Sequence, residues 1–208
     1  MKYQILMFGS QGAGKGTQSS LLAEKLKAKH VSMGALLREE SKKGGKLGKE
    51  IAEILKSGVL VPYEITVKLI RKELKKSKNG IIIDGFPRDM DQALELDKFF
   101  KPTHIVFIKI TEKETMRRLG GRRVCDKCGE NFHVDFKPSK KEGVCDKCGG
   151  KLYRRDDDKP VAIKKRLGIF KASTMKVLNF YKKKYGIIEV NGGGKMENVF
   201  AEILKNIK

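Results

Sequence analysis

No apolar run in this 208-residue chain exceeds the length of a β-strand. The longest resemble Ile81-Ile82-Ile83, far short of the roughly 18 residues a membrane-spanning helix needs, so no membrane partner is expected. The opening segment up to Met7-Phe8 is too short for a secretory signal and is followed by no small-residue cleavage site. It reads as a first strand in a cytoplasmic protein. Cysteine is absent except for four residues, all between Cys125 and Cys148. A disulfide framework would be spread through a small secreted chain, whereas clustering points to a metal. The three histidines, His30, His104 and His133, have no partner pattern and read as structural. Acidic residues are scarce, 25 against 46 basic, for a net charge of +21. Such a balance suits nucleic acid, but the lysines are dispersed in groups such as Lys182-Lys183-Lys184 and form no single tail. They read as a solvated surface of the kind found in heat-adapted proteins. A hydrophobic fraction of 39% allows one main domain with a core, plus a small insertion.

What is present alternates. Tyr3 to Phe8, Ile81 to Ile83 and Ile105 to Ile108 are short apolar runs suited to buried parallel strands. Helical spacing marks Thr17 to Ala28, Thr66 to Lys76 and Met90 to Phe100. Gly186 to Val190 reads as a last strand and Glu197 to Ile207 as a closing helix. The alternation predicts an α/β fold with a parallel sheet. Two segments break the rhythm. Residues 32–62 are a helical excursion. Residues 121–160 are rich in cysteine, glycine and charge, and read as an inserted module more than as sheet or core.

Between the first strand and first helix lies Gly9-Ser10-Gln11-Gly12-Ala13-Gly14-Lys15-Gly16-Thr17. Glycines at these positions let backbone amides turn inward on an anion, and the helix N-terminus adds positive potential. Lys15 is placed to reach β- and γ-phosphates. The motif announces nucleotide phosphates without choosing between switch GTPase, ATPase and kinase.

Cys125 and Cys128 form one C-x-x-C pair, and Cys145 and Cys148 a second. Each lies in the repeated hexapeptide Val-Cys-Asp-Lys-Cys-Gly, at 124–129 and 144–149. Gly129 and Gly149 suit a tight turn aiming two sulfurs at one ion. Four thiolates favour tetrahedral zinc in a closed, structural site. Iron and a disulfide pairing are the alternatives.

The Gly-Lys-Gly-Thr-Gln variant at 14–18 resembles the nucleoside monophosphate kinases, adenylate kinase above all. Ser32-Met33-Gly34-Ala35-Leu36-Leu37-Arg38 and Asp84-Gly85-Phe86-Pro87-Arg88, with Gln92 beyond, extend the resemblance along nearly the whole chain. It implies a phosphate-loop parallel-sheet core at 1–31, 63–120 and 161–208. It also implies a monophosphate-binding insertion at 32–62 and a zinc-binding lid at 121–160. Lys15, Arg88, Arg122, Arg155 and Arg166 are the implied catalytic set. ATP would be held by Gly12, Ala13, Gly14, Lys15, Gly16, Thr17, Arg118, Arg122, Asn131, Phe132 and Gly194. AMP would be held by Met33, Arg38, Val59, Leu60, Val61, Gly85, Phe86, Pro87, Arg88, Gln92, Arg155 and Arg166. Asp84 and Thr17 would hold magnesium through water. The resemblance also implies a monomer converting ATP and AMP to two ADP.

The sequence departs from the family pattern at Met33, where Thr is usual, and at Ala35, where Asp is usual. Met33 keeps open a CMP or UMP kinase of the same fold. The net charge keeps open a zinc-ribbon nucleic-acid-binding protein, although that reading leaves the arginine motifs without a purpose, and no nucleic-acid partner is expected.

Overall fold

The computed structural model describes residues 2–207. Its centre is a five-stranded sheet of β1 (Tyr3–Gly9), β2 (Lys29–Ser32), β3 (Gly80–Asp84), β4 (His104–Lys109) and β8 (Ile188–Asn191). Every pairing is parallel and the order is β2-β3-β1-β4-β8. The apolar runs become central strands because both faces are covered. Leu6, Phe8, Ile81, Ile83, Ile105 and Phe107 enter one core, while Ile5, Met7, Ile82, Val106 and Ile108 enter the other. Alternation along each strand therefore deals apolar side chains to both sides, as a doubly covered parallel sheet requires.

The second core is closed by α1 (Lys15–Leu26) and α9 (Met196–Ile207) through Leu22, Val199 and Ile203. The first is closed by α4 (Tyr63–Lys75), α5 (Met90–Asp97) and α8 (Met175–Tyr185). It continues without interruption into α2 (Met33–Lys42) and α3 (Gly45–Ser57) through Met33, Leu37 and Ile51. Each of these fully buried aliphatics contributes about 1.5–3 kcal/mol, and truncating one to alanine costs about 2–5 kcal/mol.

β2 is a strand that periodicity alone does not announce. Lys29-His30-Val31-Ser32 carries one fully buried side chain, and it forms because β3 offers an open parallel edge.

After α6 (Glu112–Gly121), a second sheet contains β5 (Arg122–Cys125), β6 (Asn131–His133) and β7 (Leu152–Tyr153). It is antiparallel, in the order β6-β5-β7. The expectation that residues 121–160 avoid sheet is thus corrected. The three very short strands meet over a small buried cluster of Cys125, Cys145, Phe132 and Leu152 and not over an aliphatic core. A single 3₁₀ turn at Asp156–Asp158 leads into α7 (Pro160–Ile169), which joins α8 through a π-helical turn at Phe170–Thr174. No helix among the described residues is long and apolar enough to cross a membrane.

Candidate active site

Parallel strands bring all their C-terminal ends to one edge, and the crevice opens where successive connections diverge to opposite sides. Here β1 is that strand, with β3 on one side and β4 on the other. The loop after β1 (residues 10–14), Asp84 at the end of β3, Ser32 at the end of β2, and the turn after β8 therefore share one rim. Met7 pairs with Asp84, and Asp84 with Ser32.

The loop's glycines are demanded by the backbone. Gly12 and Gly14 have φ of 79° and 87°. A Cβ on Gly9 would stand 2.7 Å from the Ile108 carbonyl oxygen. Gly14 caps α1 in the left-handed conformation, leaving the amides of the first helical turn directed at the crevice. Ala13 is buried, Gly16 is half-buried and Thr17 is exposed. Lys15 spans the loop, its Nζ donating to the Gly9 and Ser10 carbonyls at 2.9 Å each. Desolvation lowers its pKa to about 8. Asp84 opposes the shift, while Arg88, Arg166 and Arg122 add to it. Those four charges, from three separate segments, act on one ammonium, so the fold has gathered them.

The arginines fall into two groups. Arg122 donates from Nε and Nη2 to both oxygens of Asp158, at 2.8 and 2.6 Å. Arg166 Nη1 lies 3.0 Å from the Asp157 carboxylate and 3.7 Å from that of Asp158, and Arg155 also pairs with Asp157. These three are held in position by carboxylates. Arg38 and Arg88 have no carboxylate partner among the described residues. Arg88 is anchored only by its Nε–H on the Gly85 carbonyl at 2.7 Å, and Thr174 donates to its backbone carbonyl. Burial and the neighbouring Arg155 depress the Arg38 pKa to about 10. Burial likewise lowers that of Arg88, whose neighbours include Arg155. The site is short of negative charge, and the two unpaired guanidiniums are where an anion would relieve it.

Asp157 and Asp158 were not singled out as site residues by the sequence. Their signal was the Arg-Arg-Asp-Asp-Asp run at 154–158, which reads as a charged hinge until the fold turns it back on Arg122 and Arg166. Gln11 is another such residue: its Nε2 donates to the Arg166 carbonyl at 3.4 Å, linking the loop to α7.

Arg118 lies on the other flank. It donates to Glu114, to the Gly192 carbonyl at 2.8 Å and to the Gly12 carbonyl at 3.4 Å, joining the phosphate loop to the turn that carries exposed Gly194. Asn131 is exposed on β6, but the Phe132 side chain is packed among the cysteines, so only its backbone can face a ligand.

The acceptor-side residues lie around α2, α3 and the Phe86–Pro87 turn. Phe86 and Pro87 are buried and their peptide is cis; Gly85, at φ 76°, is half-buried. Val59 is 47% exposed, Leu60 is half-buried and Val61 is buried. Met33 is 2% exposed, within the core. Gln92 donates to the Val61 carbonyl at 3.1 Å and accepts from the Arg88 amide at 2.8 Å. Its amide thus couples Arg88 to the segment at 59–61.

Two metal positions fit the residues present. Asp84 Oδ1 is buried without a hydrogen-bond partner, while Oδ2 of the same carboxylate lies beside Gly16, and its charge acts on Lys15. An orphaned carboxylate oxygen facing a phosphate loop is suited to a hydrated magnesium ion. In the second sheet the four Sγ atoms lie within 4.8 Å of one another. Cys125–Cys148 is 3.4 Å and Cys128–Cys145 is 3.6 Å. Tetrahedral zinc at ~2.3 Å from each sulfur sets sulfurs ~3.8 Å apart, whereas a disulfide needs ~2.05 Å. The hexapeptide repeats fold alike, with Gly129 and Gly149 at φ 71° and 69°, each donating to the carbonyl of the first cysteine of its pair. A Cβ on Gly150 would reach 2.7 Å from Cys125 Sγ.

The family model for adenylate kinase matches residues 7–186 of this chain. The chain is 42% identical to an adenylate kinase of Methanothrix thermoacetophila, over 97% of this chain and 96% of that protein. It is 41% identical to one of Methanocella arvoryzae, over 99% and 98%. Identity to one of Caldicellulosiruptor bescii is 39%, over 97% of each chain.

Proposed function

The chain belongs to the adenylate kinase family, and from that membership we propose how its own residues carry the reaction. The enzyme is a nucleoside monophosphate kinase that moves a phosphoryl group reversibly from ATP to AMP, giving two ADP. ATP occupies the loop of Gly12 to Thr17, with Lys15 leaving the Gly9 and Ser10 carbonyls for the β- and γ-phosphates. Arg118 and Gly194 flank the adenine end. AMP lies between α2, α3 and the Phe86–Pro87 turn, its phosphate taken by Arg38 and Arg88. Arg122, Arg155 and Arg166 face the phosphoryl group in flight. Asp84 and Thr17 would hold a hydrated magnesium ion, which would neutralise phosphate charge.

Phosphoryl transfer asks for in-line positioning and neutralisation of charge on the equatorial oxygens. The acceptor is itself a phosphate, mostly deprotonated at neutral pH, so no general base is required. That agrees with a site of arginines and no histidine. The observation that carries this reading is the split in the arginine set: unpaired Arg38 and Arg88 at the acceptor end, carboxylate-held Arg122, Arg155 and Arg166 between the two ends. Preorganised donors lose little freedom when charge develops. Formation of ADP from ATP and AMP, at least about tenfold slower in Arg88→Ala than in wild type, tests the assignment.

Residues 32–62 and 121–160 act as two mobile covers on the core, the second stapled by zinc in the Cys125, Cys128, Cys145 and Cys148 site. Their closure excludes water, which competes as acceptor. Cytoplasmic placement and a monomeric state complete the proposal.

A further inference from the structure

A groove of about 670 Å³ lies on the face of α4 far from the phosphate loop, lined among others by Gln4 near the start of β1 and by Phe99 just after α5. Gln4 sits at the N-terminal end of the sheet, opposite the catalytic rim. Around this groove α4 presents Lys68, Arg71, Lys72 and Lys75, all exposed and all on its lining. Their spacing sets Lys68 against Arg71 and Lys72, and Lys75 against Arg71 and Lys72, as i,i+3 and i,i+4 neighbours. Each such like-charge pair destabilises a helix by about 0.2–0.5 kcal/mol. None of the four forms an ion pair among the described residues, whereas Lys29 and Lys76 both share Glu73 nearby. Glu64 is the one acid on the lining.

The groove also offers flat surfaces. The Arg71 guanidinium carbon lies 3.9 Å from the centroid of the Phe99 ring, so one side of the group rests on the aromatic while the residue as a whole is exposed. Tyr63, at the start of α4, is 37% exposed. A guanidinium propped on a ring and a second free ring are platforms on which a nucleobase stacks, and interleaved cations track a phosphate backbone. Four cations against one acid on the lining exceed what one phosphate needs, and the groove is open to solvent along the helix.

We propose that the α4 groove binds single-stranded nucleic acid, with Arg71 and Tyr63 stacking bases and Lys68, Lys72 and Lys75 contacting phosphates. Dispersed lysines in the sequence hid this arrangement, because the helix is what assembles them. The proposal stands independently of phosphoryl transfer, which serves as the control for folding.

The test is fluorescence anisotropy of a labelled 12-nucleotide uridylate strand on the full-length protein, with ADP saturating to keep the catalytic crevice filled. Lys68→Glu with Lys72→Glu should weaken binding at least about tenfold and reduce the salt slope by about 1.4, since each single-strand phosphate contact contributes about 0.7. Arg71→Ala should weaken it at least about fivefold through lost stacking. Lys176→Glu with Lys183→Glu, the same charge change on α8, should leave affinity within about threefold, and all variants should keep wild-type kinase activity. The proposal is overturned by absence of binding, by equal loss in the two double variants, or by full displacement with AMP alone. Competition by a poly-glutamate peptide as strong as by unlabelled strand would reassign the groove to acidic protein segments and equally overturn it.

Discussion

Arg122, the first residue of β5, and Asp158, the last of the 3₁₀ turn before α7, form a two-pronged ion pair in which the carboxylate is wholly buried. The pair closes the base of the cysteine-bearing insertion. It also fixes a guanidinium that the proposed mechanism turns toward the transferring phosphoryl group. In the proposed mechanism one contact would therefore serve both the insertion's anchoring and the chemistry.

Removing either partner leaves a charge in a poorly hydrated place. Breaking a buried pair from one side costs about 3–5 kcal/mol. Asp158→Ala should lower the melting temperature by about 6–20 °C in a chain of this size. Arg122→Ala should melt lower too and also lose at least about tenfold in turnover, with Arg122→Lys recovering part of the stability and little of the rate. Calorimetry and steady-state kinetics on the three variants check this. Wild-type turnover in Arg122→Ala would remove Arg122 from the mechanism.

Arg88 makes a different prediction, because no carboxylate depends on it. Arg88→Ala should leave the melting temperature within a few degrees of wild type, while turnover falls at least about tenfold. A variant that is fully active, or one that unfolds, contradicts the acceptor-phosphate role.

Lys15 gives a pH signature. Its pKa is about 8 in the nucleotide-free protein, against 10.5 in an unfolded chain. Between those values the unfolded state binds more protons, so this group makes stability rise as pH climbs from about 8 to 10.5. A triphosphate beside the ammonium reverses the depression. ATP binding at pH 8.5 should therefore draw in a proton, seen by calorimetry in buffers of different ionisation enthalpy. Lys15→Met should lack that uptake, and equal uptake in the variant would refute the assignment.

Metal removal tests the second sheet. Its core is two cysteines, one phenylalanine and one leucine, too little apolar surface to fold residues 121–160 alone. Zinc binding to such sites contributes on the order of 10–16 kcal/mol. Chelation should melt this insertion in a separate, earlier transition and reduce activity, with both restored by zinc. An unchanged melting curve after verified metal loss would contradict a structural ion.

The sequence announced the central strands because Ile81-Ile82-Ile83 and Ile105 to Ile108 are apolar on both faces, and a doubly covered sheet leaves that trace. It announced the phosphate loop because its glycines answer backbone demands local to nine residues. β2 was illegible because its pairing is a long-range event, supplied by β3 and not by its own half-polar residues. The counter-ions of the arginine set were hidden for the same reason. Asp158 lies 36 positions from Arg122, and no local pattern joins them. Gln92 was legible as a site residue but not as the amide that ties Arg88 to the Val61 carbonyl, which only the packed chain reveals. The small antiparallel sheet left no trace of alternation because its strands are only two to four residues long.

The central claim is a clamp for two nucleotides that takes AMP as acceptor despite buried Met33, which offers the base no hydroxyl. The most direct measurement compares kcat/KM for AMP, CMP, UMP and GMP with saturating magnesium and ATP. The account predicts AMP ahead of every other acceptor by at least about tenfold, since binding a mispaired base leaves polar groups unsatisfied at about 1–3 kcal/mol. A CMP or UMP rate equal to or above that of AMP would contradict it.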